Sequence, residues 1–250
     1  MCRNRAIFHS EISFTKIMRS AILILAINFA FTARAADRAF ESGPQRIHLL
    51  ELFTSEGCSS CPPAEAWLSK LKAEPRLWKD FVPLAFHVDY WDRLGWRDPF
   101  AAKAWTARQY QYSANWKSEG VYTPGFVLDG REWQERSVPA STSEKVGVLK
   151  FSIANDKISA EFSPANGALK DVDLHLATLG FDLTTKVTAG ENSGRSLRQD
   201  FVVLSLVNQK ILDRKAEIAF NPDPRAGAIA AWVTAPSQIE PIQAVGGWLR

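Results

Sequence analysis

Cys58 and Cys61 stand three positions apart in "LLELFTSEGCSSCPPAEAWLSKL", Leu49 to Leu71, and only Cys2 adds a third cysteine to the chain. Two thiols at that spacing can staple, hold a metal or exchange electrons. A disulfide across two intervening residues closes so short a loop that it constrains the unfolded chain little. A structural zinc site wants four ligands. Beyond the pair, the chain after residue 35 has only His48, His87 and His175 as imidazole donors, so no metal ligand set is assigned. The redox reading suits the neighbourhood better. The unpaired N–H groups of a helix start stabilise a thiolate, and in such motifs the ordinary cysteine pKa of about 8.5 falls to about 3.5–7.5.

The flanking patterns say how the pair is held. "RIHLLELFT" (Arg46–Thr54) is a short apolar run, as in a strand covered on both faces. After the cysteines, Ala64, Trp67, Leu68 and Leu71 fall on one face of a helix. Pro62 and Pro63 lack N–H donors and fit only where helix donors are unpaired anyway. This predicts Ser60 as the cap, Cys61 at the first helical position, and Cys58 outside the helix on the exposed side of the turn. In that geometry Cys58 attacks and Cys61 resolves the mixed disulfide.

Further on, "FVPLAFHVDY" (Phe81–Tyr90) reads as a second buried strand. Asp98 as cap with Pro99 at the first position predicts the start of a second helix. Asp129-Gly130 marks a hairpin, and Val138–Leu149 carries a weaker helical pattern. From Phe151 the pattern changes to some seven short alternating strands, with a turn at Asn155-Asp156-Lys157. That half predicts an antiparallel β-sandwich of immunoglobulin-like size over 151–250, after an α/β unit over 40–150.

Residues 1–35 combine Arg3, Arg5, Lys16 and Arg19 with the apolar run "AILILAINFAFTA" and the small-residue triplet Ala33-Arg34-Ala35. This describes a secretory signal peptide cleaved near Ala35/Ala36. The apolar core is shorter than the roughly 20 residues a spanning helix needs, so the sequence predicts export to the periplasm or beyond, with no stable membrane anchor. Five of the 30 basic and one of the 27 acidic residues lie in that segment, leaving 25 against 26. The mature chain is thus nearly neutral, and its charge gives no reason to expect a nucleic-acid partner.

The order strand, C-x-x-C, helix, strand, helix, hairpin resembles the thioredoxin-like fold, and "VYTPGFVLDG" puts Thr123-Pro124 where that fold keeps a cis-proline beside the cysteines. "ELFTSEGCSSCPPAE", "AFHVDYWDRLGWRDPF", "VYTPGFVLDGR" and "AGENSGRSL" together resemble the exported domain-of-unknown-function family 1223 over nearly the whole mature chain. The resemblance implies an α/β thioredoxin-like domain and supplies no substrate.

The site expected from these readings has Cys58 as nucleophile, Cys61 as resolving thiol and Pro124 shaping the substrate surface. Glu51 is a candidate proton relay, offset by one residue from the buried acid of thioredoxins. Thr123, His87, Asp89, Trp91 and Trp96 are candidates for the rim, although His87 reads rather as a packed strand residue and the tryptophans as cover for the sheet edge. The expected activity is thiol–disulfide exchange with protein or small-molecule thiols and disulfides, and no cofactor is expected. Two alternatives stay open: a copper-binding module using both thiols, and a non-catalytic binding module.

Overall fold

The computed structural model describes residues 38–249 except 136, 168 and 170. The signal peptide predicted over 1–35 lies outside the described residues. In chain order the elements are β1 (Arg38–Glu41), β2 (His48–Thr54), α1 (Pro62–Lys70), β3 (Phe81–His87), α2 (Lys103–Trp116), β4 (Gly125–Leu128) and β5 (Arg131–Glu132). Then follow β6 (Gly147–Ala154), β7 (Lys157–Pro164), β8 (Val172–Gly180), β9 (Leu183–Lys186), β10 (Ser196–Gln199), β11 (Val202–Ile211), β12 (Lys215–Ala219), β13 (Ala226–Thr234) and β14 (Pro241–Trp248).

The two apolar runs before and after the cysteines form β2 and β3, which pair in parallel from His48–Phe81 to Thr54–His87. Both are buried almost throughout, so their side chains must serve two cores. Leu49, Phe53, Val82, Leu84 and Phe86 point to one face, where Trp105 and Tyr112 of α2 and Trp232 of β13 complete the cluster. Leu50, Leu52, Phe81 and Ala85 point to the other, against Ala64 and Leu68 of α1. Each such fully buried side chain contributes about 1.5–3 kcal/mol of transfer free energy.

The expected α/β thioredoxin-like domain followed by a separate sandwich is not what the chain forms. Among the described residues two α-helices stand against fourteen strands, and one eight-stranded sheet in the order β14-β13-β8-β11-β3-β2-β4-β5 takes strands from both halves. The seam lies between β11 and β3. Val202 pairs in parallel with Ala85, and the Ala85 N–H donates to the Phe201 carbonyl at 2.8 Å. Physically, β8 and β13 bury both of their faces and so behave as interior strands. Leu174, Leu176, Ile229 and Val233 meet a four-stranded sheet, β1-β6-β7-β12, through Leu149, Phe151, Ile158 and Phe162. Ala177, Leu179, Ala228 and Trp232 meet the α2 side.

Two local expectations also fail. The helix predicted over Val138–Leu149 is absent, because Gly147, Leu149 and Phe151 bury alternate positions and pair with β7 as a strand. The second helix starts at Lys103 with Ala102 as its cap; Asp98 closes only a local turn, its Oδ1 accepting the Phe100 N–H at 2.9 Å, while its Oδ2 is shared by His87 and the Glu56 N–H. Both predicted turns are present. Asp129 and Gly130 (φ 49° and 81°) join β4 to β5, and Asn155 and Asp156 (φ 49° and 58°) join β6 to β7.

Candidate thiol site

The chain leaves β2 at Thr54, loops through Ser55–Ser60 and enters α1. Cys61 is the N-cap residue and Pro62 the first helical one, one position later than the sequence predicts. The two prolines occupy the first two positions without needing partners, and the first real donors, the N–H groups of Ala64 and Glu65, reach back to the Cys61 carbonyl at 2.9 and 3.1 Å. Ser60, released from capping, turns its hydroxyl to Cys58 Sγ at 3.2 Å.

Cys58 is not exposed. Its relative exposure is 0 %, as is that of Cys61, and both thiols are free. The Thr123-Pro124 bond is cis, and the Thr123 carbonyl lies 3.9 Å from Cys58 Sγ. Trp91 Nε1 donates to Thr123 Oγ1 at 2.8 Å, which fixes that hydroxyl.

The two thiols have opposite chemistry. A hydrogen bond from Cys61 leads the causes that lower Cys58 to about 6, helped by Ser60 and Thr123 against the opposing effect of burial. Burial comes first in pushing Cys61 up, and the neighbouring Cys58 adds to it. The arrangement therefore favours the thiolate on Cys58 over one on Cys61.

Behind the pair lies an acidic cluster that sequence reasoning missed. The Thr54 hydroxyl donates to Glu65 Oε1 at 2.6 Å, and Gln199 Nε2 donates to Glu65 Oε2 at 3.1 Å. Burial raises the pKa of Glu65. Trp96 Nε1 donates to Glu56 Oε2 at 3.1 Å, and burial, with the charge of Asp98, pushes Glu56 up to about 7. Asp98 Oδ2 lies 2.7 Å from His87 Nδ1 and accepts the Glu56 N–H at 2.8 Å. Burial opposes charge on both members of that pair. Their mutual attraction outweighs it, raising His87 and lowering Asp98. Glu56 and Glu65 sit in the cysteine loop and at the first turn of α1, so their spacing from Cys58 and Cys61 was the available signal.

The other predicted residues divide. Thr123 and Trp91 are at the thiols. His87 and Trp96 are one layer behind them, His87 fully buried rather than on a rim. Asp89 is bound to α2, its Oδ1 accepting from Thr106 Oγ1 at 2.6 Å. Glu51 faces the α2 side of the sheet, where Arg108 Nε donates to it at 2.6 Å and the Tyr112 hydroxyl at 2.5 Å. That places it with Leu49 and Phe53, on the face opposite α1. Among the described residues no group of three or more His, Cys, Asp and Glu side chains is arranged to hold a metal ion.

The model of the family described as "Protein of unknown function (DUF1223)" matches residues 49–233. The chain belongs to that family. No curated protein matches the sequence. Among solved structures, the crystal structure of protein AGR_C_4864 from Agrobacterium tumefaciens superposes with a TM-score of 0.58 at 24% identity, covering 82% of this chain and 94% of that one. HBP35 of Porphyromonas gingivalis superposes with a TM-score of 0.52 at 13% identity, covering 82% of this chain and 76% of that one. At these identities the likeness extends to the fold of the DUF1223 chain alone.

Proposed function

We propose that this DUF1223 protein carries out thiol–disulfide exchange on an exported substrate, with Cys58 as nucleophile and Cys61 as resolving thiol. The observation that carries this reading is the asymmetric placing of the pair, Cys58 in the loop with Ser60 Oγ at 3.2 Å beside the cis Thr123-Pro124 bond and Cys61 buried at the helix cap, an arrangement that favours the thiolate on Cys58 over one on Cys61. Attack needs the thiolate form. In the reducing direction Cys58 Sγ attacks one sulfur of a substrate disulfide, forming a mixed disulfide while the substrate S–S bond breaks. The departing thiolate takes the proton of Cys61. The Cys61 thiolate then attacks Cys58 Sγ, releasing the second substrate sulfur as a thiolate and leaving a Cys58–Cys61 disulfide. The substrate gains two electrons and the pair loses two, and the same steps reversed oxidise a dithiol. The Thr123-Pro124 backbone at Cys58 is the surface against which the substrate strand lies in this reading.

Insulin reduction by the mature protein with a regenerating thiol tests the activity. Turnover that disappears in Cys58→Ser is expected. A rate equal to that of the regenerating thiol alone would overturn the proposal.

A further inference from the structure

The motif "AGENSGRSL" has no part in the exchange chemistry so far, yet the fold brings it onto the cysteine loop. Among the described residues β9 and β10 pair only with each other, Lys186 opposite Ser196 and Leu183 opposite Gln199. They form a hairpin arm whose tip, 187–195, is closed by the Gly194 N–H to the Val187 carbonyl at 2.9 Å. From that tip Asn192, 1 % exposed, donates both protons of Nδ2, to the Glu56 carbonyl at 2.8 Å and the Cys58 carbonyl at 2.9 Å. Its Oδ1 accepts from Arg195 Nη1 at 2.6 Å. A guanidinium can only donate, so this bond fixes which end of the carboxamide faces the cysteine loop. Beside it, Glu191 Oε2 accepts the Ser59 N–H at 2.9 Å.

One buried side chain from a distant part of the sequence thus engages the two carbonyls on either side of Gly57, that of Cys58 jointly with the Cys61 N–H at 3.2 Å. An oxygen engaged by an amide is held in its direction and partly neutralised. Gly57 leaves no room for a side chain, since a Cβ there would lie 2.9 Å from Trp91 Cβ.

We infer that Asn192 is a positioning residue for the Cys58 thiol: from the tip of the arm it engages the Glu56 and Cys58 carbonyls and so holds the loop that sets Cys58 beside Ser60 and Thr123. The inference deepens the exchange reading and rests on it.

Titrating Cys58 by the ultraviolet absorbance of its thiolate in the full mature chain tests it. In Asn192→Ala the midpoint rises. A rise of one pH unit lowers the thiolate fraction at pH 6 about fivefold. Arg195→Ala, which frees the carboxamide to rotate but keeps its donors, gives a smaller rise and serves if the first variant does not fold. Arg198→Ala, on the same arm but paired with Asp182, leaves the midpoint in place. An unchanged midpoint in folded Asn192→Ala, or in Arg195→Ala if that variant must serve, overturns the inference. So does an equal rise in Arg198→Ala, which would mark general loosening of the arm. If the parent itself titrates at the ordinary cysteine value, the exchange reading fails instead.

Discussion

The Thr54 hydroxyl and Glu65 Oε1 are joined by a 2.6 Å hydrogen bond inside the protein. The bond ties the last residue of β2 to the first turn of α1, across the loop that carries both cysteines. Gln199 of β10 completes the carboxyl from the other side. The helix start, the strand end and the arm therefore meet at one buried carboxyl, and the cysteine loop is held at both of its ends.

Replacing Thr54 by Val keeps the shape and removes the donor. Glu65 then keeps one oxygen unpartnered in a dry site, at a cost of about 1–3 kcal/mol. Denaturant unfolding at neutral pH should show a lower midpoint with an unchanged slope. A loss no larger than a few tenths of a kcal/mol would mean that another group takes over the carboxyl.

Glu56 makes stability depend on pH with a definite sign. Its folded pKa is raised to about 7, above the unfolded carboxylate value of about 4.3. The native state therefore binds the proton more tightly. That contribution is fully present below the unfolded value and is lost as pH rises toward the folded one. His87, also raised, works in the same direction from a higher starting point, so the variant to compare is Glu56→Gln. Between pH 5 and pH 8 the parent should lose about 1–3 kcal/mol relative to that variant. Parallel stability curves would contradict the raised value.

The Glu51–Arg108 pair should matter for stability and not for the thiol. Arg108 lies among Phe86, Tyr112 and Trp232 and is the cationic partner of a fully buried carboxylate. Arg108→Met leaves that charge uncompensated, and breaking such a buried pair typically costs about 3–5 kcal/mol. The Cys58 titration midpoint of the folded variant should match the parent. A shifted midpoint would restore to Glu51 the relay role that its position on the α2 face argues against.

These residues also mark how far the sequence could be read. β2, β3 and both two-residue turns follow from apolar runs and from Asp-Gly and Asn-Asp chemistry, all local signals, whereas the meeting of Cys58 with Thr123-Pro124 is expected only from the resemblance to the thioredoxin-like order. Asp98 followed by Pro99 has the pattern of a helix start and Asp98 does close a turn on the Phe100 N–H, but its other oxygen is bound to His87 and the Glu56 N–H, a tertiary role that no local pattern encodes. Glu51 was a question of strand face, decided by Arg108 arriving from α2. The joined sheet was the least visible feature. β11 meets β3 through a single parallel pair, and strands buried on both faces look alike whether they build one sheet or two. Asn192 lay in a quoted motif, but its carboxamide acquires meaning only through two carbonyls far away in the chain.

Export makes a separate prediction. The basic start, short apolar core and Ala33-Arg34-Ala35 triplet place cleavage before or within a few residues of Ala36. Intact-mass measurement of the protein recovered from the periplasm should give that N-terminus. Retention of residues 1–35 in the exported protein would refute the processing and move the protein to the membrane surface.

The pair itself gives the most direct prediction. Cys58 is held at about 6, and the first cause is the hydrogen bond from Cys61. Between pH 5 and pH 7 the parent should show one thiolate titrating, while Cys61 stays silent because burial keeps it protonated. Removing the donor in Cys61→Ala should move the midpoint upward toward the ordinary thiol value. Cys61→Ser, whose hydroxyl can still donate, should move it less. Because Cys58 has 0 % exposure, alkylation will be slow in absolute terms at every pH, but its rate should follow the same midpoint. The Cys61→Ser protein should accumulate mixed disulfides through Cys58 when given a disulfide-bonded protein, and Cys58→Ser should accumulate none. Equal ordinary titration of both thiols, with nothing trapped in Cys61→Ser, would leave the asymmetry without chemical consequence and end the exchange reading.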